Sequence, residues 1–228
     1  MVSHGKKLRQ FGPPCAQIQG VVDGTRLGSL IGCSLETADK GLLSAFVERW
    51  HRETSSFHLP IGEMTITLDD VSSLLHLPIT GALYTYEGID SYAAVEKLVE
   101  LLGVRASDAR AETHQCRGPH VRLSWLREVY RSRCSARQWT EAARAYLLHL
   151  VGSTIFANKS ATFIGVVWLE VFRELGECST YAWGAATLTH MYEHLNDASM
   201  SRTRQLGGYV SLLQVLKVLH VNLLLYVI

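Results

Sequence analysis

Residues 40–78 carry the most regular pattern in the chain, and this stretch constrains the fold more than any other. Leu42, Phe46 and Trp50 recur at helical spacing, so the pattern predicts a helix with one apolar face and with Trp50 at its end, in the core. The Thr54-Ser55-Ser56 run that follows lacks this spacing. We therefore expect the helix to end before it.

A β-hairpin is predicted next. Residues 57–59 and 64–68 have the composition of two short strands, and Met64, Ile66 and Leu68 alternate with threonines. Alternation with a period of two is typical of a strand with one buried face. The three apolar side chains are therefore predicted to face the core.

A second helix is predicted to begin after the hairpin. Thr67 and Asp70 have the spacing of a capping box, in which two side chains satisfy backbone N–H groups at a helix N-terminus. Val71 and Leu75 supply the apolar side of this helix. Pro78 is expected to mark its end.

The rest of the chain predicts further helices. Apolar residues recur at helical spacing over 91–102, 121–131, 139–151, 163–175 and 181–195. The polar segment 103–120 is expected to be a surface connection, and residues 1–25, with Pro13-Pro14 and several glycines, an irregular segment. The predicted fold is mainly α: a multi-helix globular domain with one short β-hairpin near residues 57–68.

Finer features of these helices are also predicted. Val99 is assigned to the buried face of its helix, together with Val95, Leu98 and Leu102. Ser135 and Gln138 have capping-box spacing. Glycines at positions 103 and 176 are expected to terminate helices.

Composition excludes several classes of protein. Hydrophobic residues make up 47% of the chain and charged residues 19%, as in globular rather than disordered proteins. The formal net charge is +1, so no global basic excess indicates a nucleic-acid partner. The five cysteines include no CxxC pair, which favours a reducing compartment over a disulfide framework. The N-terminus lacks the apolar run of a secretory signal.

A zinc site is the first chemistry to consider. The residues from which it would be built are His114, Cys116, His120 and Cys134. Their spacing matches no standard arrangement of zinc ligands. Ordinary surface or core side chains are the preferred interpretation, so we predict no metal site and no cofactor.

A basic run is the second candidate, formed by Arg117, Arg122, Arg127, Arg131, Arg133 and Arg137. Such a stripe is able to contact phosphates. The interleaved Glu128 favours a solvated helix face instead, and Trp125 and Tyr130 are assigned to the buried side, where they are poor stacking platforms. Changing Arg127 and Arg131 to Gln is expected to alter stability by less than about 1 kcal/mol.

A serine hydrolase is the third possibility. Its residues would come from Ser44, Ser72, Ser73, His51, His58 and His76. The chain has no G-x-S-x-G nucleophile elbow. We therefore predict no catalytic residues.

The last residues, 218–228, are almost wholly apolar. They are too few for a membrane-spanning helix, which needs about 20 residues, and Lys217 interrupts any upstream extension. A buried helix is therefore favoured over a membrane anchor. Because a helix that is apolar on all sides must be covered, we expect self-association through residues 209–228.

Residues 26–214 resemble the plant mobile domain, the family of the maintenance-of-meristems-like proteins. The matching motifs are Leu42-Leu43-Ser44-Ala45, Val47-Glu48-Arg49-Trp50, Glu53-Thr54, Phe57-His58-Leu59-Pro60, Gly62-Glu63-Met64-Thr65-Ile66-Thr67-Leu68, Leu77-Pro78, Ala143-Arg144-Ala145-Tyr146-Leu147-Leu148, Lys159-Ser160, Tyr181-Ala182-Trp183-Gly184 and Gln205-Leu206-Gly207-Gly208. The tail at 215–228 departs from the family pattern. The resemblance therefore implies a domain that is incomplete at its C-terminal end.

The resemblance implies a non-catalytic nuclear protein that acts through protein partners in meristem maintenance, transposon silencing and genome stability. A phosphoprotein-phosphatase-like protein is the implied partner. Some members of the family are labelled aminotransferase-like, but the chain has no lysine, aspartate and phosphate-binding constellation of a pyridoxal phosphate enzyme. The alternative is a nucleic-acid-binding or transposon-derived protein that uses the Arg117–Arg137 basic run. The third hypothesis is an enzyme of unknown type.

Overall fold

The structure, a computed structural model, describes Leu8 and residues 10–32, 40–60, 62–85, 87–159, 162–200, 206–209 and 212–213. Its α-helices are α1 (Ala16–Gly24), α2 (Lys40–Arg49), α3 (Leu68–Leu75), α4 (Ser91–Leu102), α5 (Ala106–Gln115), α6 (Leu123–Ser135), α7 (Trp139–Ser153) and α8 (Trp183–Ser199). Its strands are β1 (Trp50–His51), β2 (Ser56–Leu59), β3 (Gly62–Met64), β4 (His120–Arg122) and β5 (Phe163–Gly165). Short 3-10 segments are η1 (Gly28–Ile31), η2 (Val166–Phe172) and η3 (Leu175–Thr180). The predicted mainly helical fold is confirmed.

Helix α7 lies at the centre of the domain. Every residue from Ala145 to Ser153 is buried, and α1, α4 and α6 pack against this helix. A helix that is apolar around most of its circumference is stable only when it is covered on all sides. The helix predicted over 139–151 is therefore confirmed, with its end at Ser153.

Strands β1, β2 and β3 form a three-stranded antiparallel sheet. Phe57 pairs with Met64, which confirms the hairpin predicted near residues 57–68. Strand β3 ends at Met64 rather than at residue 68, because Thr67 already caps the following helix. Leu68 lies in the first helical turn and is 38% exposed, so its predicted core position is wrong.

Trp50 lies in β1 rather than at the end of a helix. Helix α2 stops at Arg49, and Trp50 pairs with Phe57 in the sheet. The indole is nevertheless 4% exposed, so the predicted core position is confirmed. Tyr192 of α8 packs against the indole. This contact is remote in sequence and is invisible to a periodicity argument.

The capping box of α3 is present. The Thr67 hydroxyl accepts a hydrogen bond from the Asp70 N–H at 3.1 Å, and the Asp70 carboxylate accepts one from the Thr67 N–H at 2.8 Å. The helix ends at Leu75, and His76 follows in the left-handed region with a φ of 53°. The stop therefore precedes Pro78, the residue expected to cause it.

The second predicted capping box is wrong. Ser135 is the last residue of α6, and its hydroxyl donates to the Arg131 carbonyl at 3.0 Å. Gln138 is the N-cap of α7 and makes no side-chain capping bond. Spacing alone does not separate a helix end from a helix start when one helix follows another so closely.

Two segments expected to be irregular contain helices. Helix α1 lies within residues 1–25 and buries Ile18 and Val22. Helix α5 lies within the supposed surface connection 103–120. Its buried residues are Ala109, Glu112 and Thr113. Because these are small or polar, hydrophobic periodicity could not reveal the helix.

A second, two-stranded antiparallel sheet joins β4 to β5. Val121 pairs with Ile164 in this sheet, and α6 begins only at Leu123. The helix predicted from 121 therefore starts later than expected. The predicted fold contained one hairpin, and this sheet was missed because its two strands lie far apart in the sequence.

The helix predicted over 163–175 is wrong. Strand β5 and the 3-10 segment η2 occupy most of this range. The Val166 N–H donates to the Pro119 carbonyl at 2.9 Å, which holds the start of η2 against the segment preceding β4. Gly176 lies inside η3 and does not terminate a helix.

A pair of histidines on α8 is covered by a glycine. His190 and His194 are one turn apart, with their Nε2 atoms 3.1 Å from each other. A Cβ on Gly207 would lie 2.7 Å from the His194 ring, so a residue with a side chain cannot pack there without displacing that ring. The adjacent Gly208 donates its N–H to the Ala157 carbonyl at 2.7 Å. It has a φ of 80°, and a Cβ there would lie 2.9 Å from the Met191 sulfur. The space at Gly207 and the backbone at Gly208 therefore explain both glycines of the motif.

Acidification is expected to destabilise the domain through this pair. Burial, followed by the neighbouring His194, lowers the pKa of His190 from 6.5 to about 4. Burial also lowers the pKa of His194, with a smaller contribution from Lys159 and an opposing one from Asp197. Between pH 6.5 and about 4 the unfolded chain therefore binds protons that the folded domain does not. Stability should fall with falling pH across this window, by about 3 kcal/mol for His190 alone.

The measurement is urea unfolding of the wild type and of His190→Gln at several pH values. The difference between the two proteins should shrink or reverse as the pH falls from about 7 to about 4.5, because the variant has lost the proton-binding group. Titratable groups that do not contact His190 contribute equally to both proteins. A difference that does not change with pH would contradict the assignment.

The predicted apolar tail at 215–228 lies outside the described residues, as do the Gln205 end of the Gln205–Gly208 motif and Cys33. Among the helices that the structure describes, none combines the length and apolar character needed to cross a bilayer. The self-association expected of the tail stays a prediction.

Candidate functional site

A groove with a volume of about 820 Å³ separates α4 from α5. Its lining residues are Ser91, Tyr92, Val95, Glu96, Val99, Glu100, Ala106, Arg110, Thr113, His114, Arg117 and Gly118. Tyr92 is 71% exposed and Val99 37%, so the predicted burial of Val99 is wrong. Together they form an exposed apolar strip beside Val95, which is 9% exposed.

The groove exists because the apolar face of α4 is wider than the part that the core covers. The Asp90 carboxylate caps the start of the helix by accepting a hydrogen bond from the Ala93 N–H at 2.8 Å. Gly103, in the left-handed region, caps its end. Leu98 and Leu102 face the core and are fully buried. The α5 residues opposite the exposed edge of this face are small or polar and leave the space unfilled.

The two walls of the groove differ in charge. Glu96 lies on the α4 wall, and its hydrogen bond with the Tyr92 hydroxyl, together with its charge, raises the pKa of that tyrosine. Arg110, His114 and Arg117 lie on the α5 wall. The groove therefore offers an apolar floor with a basic edge.

An ion-pair network fixes the α4 wall to the body of the domain. Glu170 of η2 pairs with Lys97 of α4 and with Arg173, and Arg173 also pairs with Glu100 of α4. The hydrogen bond from Arg173, with the help of Lys97, lowers the pKa of Glu170 to about 2. Several charges in one network hold a helix more firmly than an isolated surface pair does.

Arg144 of α7 strengthens the same junction. Its guanidinium donates to the carbonyls of Phe172 at 3.0 Å, Arg173 at 2.7 Å and Leu101 at 3.3 Å. One side chain of the central helix thus satisfies the C-terminal carbonyls of α4 and of η2. Arg144, which belongs to the Ala143–Leu148 motif, therefore helps to hold the α4 wall of the groove in place.

A buried carboxylate fixes the α5 wall. Glu112 is 2% exposed, and its oxygens accept the Arg122 backbone N–H at 2.7 Å, Nε at 2.9 Å and Nη2 at 2.6 Å. The Cys116 thiol contacts the same carboxylate at 3.6 Å. Burial and this negative charge raise the pKa of Cys116 to about 11, so the thiol is a poor nucleophile.

The structure does not assemble the zinc candidates. His114 lines the groove. Cys134, in the last turn of α6, instead has its sulfur 3.7 Å from that of Cys15. Across the described part of the chain, no three His, Cys, Asp or Glu side chains are grouped so as to hold a metal ion.

The arginines of the basic run do not form one stripe. Arg122 is engaged by the buried carboxylate of α5. Arg127 is partly buried, whereas Arg131 is exposed. Arg117 and Arg137 lie in turns, with φ values of 55° and 58°. The run is thus divided among a strand, a helix and two turns.

The hydrolase candidates are also placed apart. His51 and His58 stack on each other with centroids 3.7 Å apart, and His58 contacts Glu63 at 3.1 Å. His76 forms the C-cap of α3. The side-chain hydrogen bonds of the described residues link no histidine to Ser44, Ser72 or Ser73.

Sequence reasoning missed the groove because it treated 103–120 as a loop. One signal could have revealed it. Tyr92 and Val99 lie seven positions apart, at one edge of the apolar face of α4 that Val95, Leu98 and Leu102 share. An apolar face of this width predicts either a further packing element or an exposed surface along its edge.

Comparisons with known proteins bear on the origin of this fold. The family model described as "Plant mobile domain" matches residues 27–224, ten residues beyond the position at which the resemblance was expected to end. No solved structure matches the chain significantly.

Relatives from Arabidopsis thaliana match over most of the chain. Protein MAIN-LIKE 1 is 36% identical over 96% of this chain and 43% of its own length. Protein MAINTENANCE OF MERISTEMS is 36% identical over 81% of this chain and 38% of its own length. A serine/threonine-protein phosphatase 7 long form homolog is 35% identical over 78% of this chain and 13% of its own length.

The chain spans less than half the length of each of these relatives. The family match nevertheless takes in α2 to α8, both sheets and the groove. The resemblance drawn from the sequence motifs is confirmed, and the chain belongs to the plant mobile domain family.

Proposed function

We propose that this plant mobile domain protein is a non-catalytic interaction module whose docking surface is the groove between α4 and α5. The observation that carries the proposal is the exposed apolar strip of Tyr92 and Val99 on a helix held by the Glu170–Arg173 network. Apolar side chains left exposed on a firmly held element are typical of a binding surface.

The charge of the groove defines the partner. Glu100 is already neutralised by Arg173, whereas Arg110 and Arg117 add positive charge to the α5 wall. The complementary ligand is a protein segment that inserts apolar side chains onto the strip and places acidic side chains beside the two arginines. Such complementarity gives orientation and selectivity rather than raw affinity.

The biological role follows from family membership. We place the protein in the nucleus, in the meristem-maintenance and transposon-silencing functions implied for the family, with a phosphoprotein-phosphatase-like protein as the partner. One relative bears a name that refers to meristem maintenance, and another is named as a phosphatase homolog.

The binding test uses a recombinant plant serine/threonine phosphatase domain and titration calorimetry. The double variant Tyr92→Ser/Val99→Ser should weaken binding by about tenfold or more, because two apolar contacts near the centre of the interface are lost. Arg110→Glu should weaken binding too, with a steeper dependence on salt in the wild type than in this variant.

The matched control is Leu83→Ser, which alters a side chain that is 65% exposed and lies outside the groove. It should bind as the wild type does. Equal binding by the double variant would show that the groove is not the docking surface. Duplex DNA that competes with the phosphatase in a strongly salt-dependent manner would favour the nucleic-acid alternative.

A further inference from the structure

Two cysteines that are distant in sequence lie side by side in the fold. The sulfur atoms of Cys15 and Cys134 are 3.7 Å apart, although 119 positions separate the residues along the chain. Both side chains are partly exposed. Cys15 is the N-cap of the nine-residue helix α1, and Cys134 lies in the last turn of α6. A small disulfide in solution can therefore reach the pair.

The segment that carries Cys15 is held in place on α6 and α7. The Cys15 N–H donates to the Tyr130 hydroxyl at 2.9 Å. Phe11 packs on Tyr130 and stacks on Tyr146, with centroid distances of 5.3 and 4.8 Å. These contacts keep the two sulfurs close, so bond formation requires little more than a rotation of the two side chains toward the S–S length of about 2.05 Å.

The surroundings favour Cys15 as the nucleophile. Burial opposes ionisation of this thiol, but the Tyr130 hydroxyl, the Cys134 thiol and the backbone N–H groups of Ile18 and Gln17 together lower its pKa. Burial and the hydrogen bond with Cys15 raise the pKa of Cys134. A thiolate at a helix N-terminus beside a neutral thiol is the arrangement of a nucleophilic and a resolving cysteine.

The other described cysteines lack these properties. Burial raises the pKa of Cys178 to about 12, and this side chain is fully buried. Cys116 lies against the Glu112 carboxylate and is likewise held as the thiol. Among the cysteines that the structure describes, a disulfide reagent should therefore react selectively with the Cys15–Cys134 pair.

We propose that Cys15 and Cys134 form a reversible disulfide that fastens the N-terminal segment to α6 when the glutathione pool is oxidised. The Cys15 thiolate attacks one sulfur of glutathione disulfide, and glutathione thiolate leaves. Cys134 loses its proton to solvent and attacks the Cys15 sulfur of the mixed disulfide, which expels the second glutathione. The protein pair loses two electrons, which reduce one glutathione disulfide to two glutathione molecules.

The test incubates the full-length chain in glutathione buffers of graded redox ratio, followed by alkylation, proteolysis and mass spectrometry. A peptide pair linked through Cys15 and Cys134 should accumulate as the buffer becomes oxidising and should disappear on reduction. The linked protein should melt about 5 °C or more above the reduced protein, because a long loop is closed. Separate glutathione adducts on the two cysteines without a link, or a link from either to Cys33, would overturn the proposal.

Two single variants separate the roles of the cysteines. Cys134→Ser should stop at a stable glutathione adduct on Cys15 and show no rise in melting temperature on oxidation. Cys15→Ser should react with glutathione disulfide about tenfold more slowly at Cys134, because the thiolate favoured by the helix N-terminus is gone. Equal rates in the two variants would show that Cys15 is not the nucleophile.

Discussion

Replacement of Trp50 by Ala is expected to lower the free energy of unfolding by about 3 to 5 kcal/mol, the range for removal of a buried aromatic side chain. The indole is 4% exposed and lies between Phe57 at 4.8 Å and Tyr192 at 5.2 Å between ring centroids. Its Nε1–H donates to the Asn196 side chain at 2.7 Å. The variant therefore loses packing on two sides and leaves a partly buried amide oxygen without its donor.

Denaturant unfolding measures this loss of stability. Two further variants separate the contribution of packing from that of the hydrogen bond. Trp50→Phe keeps an aromatic ring but removes the donor, so it should cost less than Trp50→Ala. Asn196→Ala removes only the acceptor and should cost about 1 to 2 kcal/mol. A Trp50→Ala loss below about 1 kcal/mol would show that the sheet and α8 do not depend on this contact.

Arg122→Ala is expected to destabilise the domain by about 3 kcal/mol, because it leaves a buried carboxylate without its counter-ion. Glu112 is 2% exposed, whereas 39% of the Arg122 side chain is exposed. Water can therefore replace part of the guanidinium contact, which places the expected loss at the lower end of the range for a buried pair. The pair joins α5 to β4 through several hydrogen bonds, so the variant should also loosen the α5 wall of the groove.

A double-mutant cycle with Glu112→Gln isolates the interaction energy between Glu112 and Arg122. Gln removes the negative charge while keeping an acceptor for the residue 122 N–H, so the double variant should be more stable than Arg122→Ala alone. Arg131→Ala is the control, since this exposed arginine of α6 should change stability by less than about 0.5 kcal/mol. Additive effects of the two substitutions would mean that the ion pair contributes nothing beyond its separate side chains.

Local patterns in the sequence were sufficient for the elements that depend on local interactions. Helix α4 was predicted with its observed bounds, because an apolar period of 3.6 ends at Gly103. The Thr67–Asp70 capping box was predicted because both of its hydrogen bonds span three residues. The β2–β3 hairpin was predicted for the same reason. Each is specified by side chains that are neighbours along the chain, which is what a periodicity or spacing argument detects.

The groove and its supports were decided by contacts that are remote in sequence. Glu112 looked like a surface residue in a polar segment, and only its pairing with Arg122 accounts for its burial. Val99 looked like a core residue, and it is exposed because α5 presents small and polar side chains opposite it.

The amino-acid sequence by itself determined the mainly helical class, the hairpin, the capping box and membership of the plant mobile domain family, since all of these lie in short motifs. Only the tertiary structure decided which side of α4 stays open and that Trp50 is buried in a strand against α8. It also decided that Cys15 meets Cys134 across 119 positions. The physical reason is that burial and proximity depend on what packs opposite a residue, and its partners there are set by the path of the whole chain rather than by its neighbours.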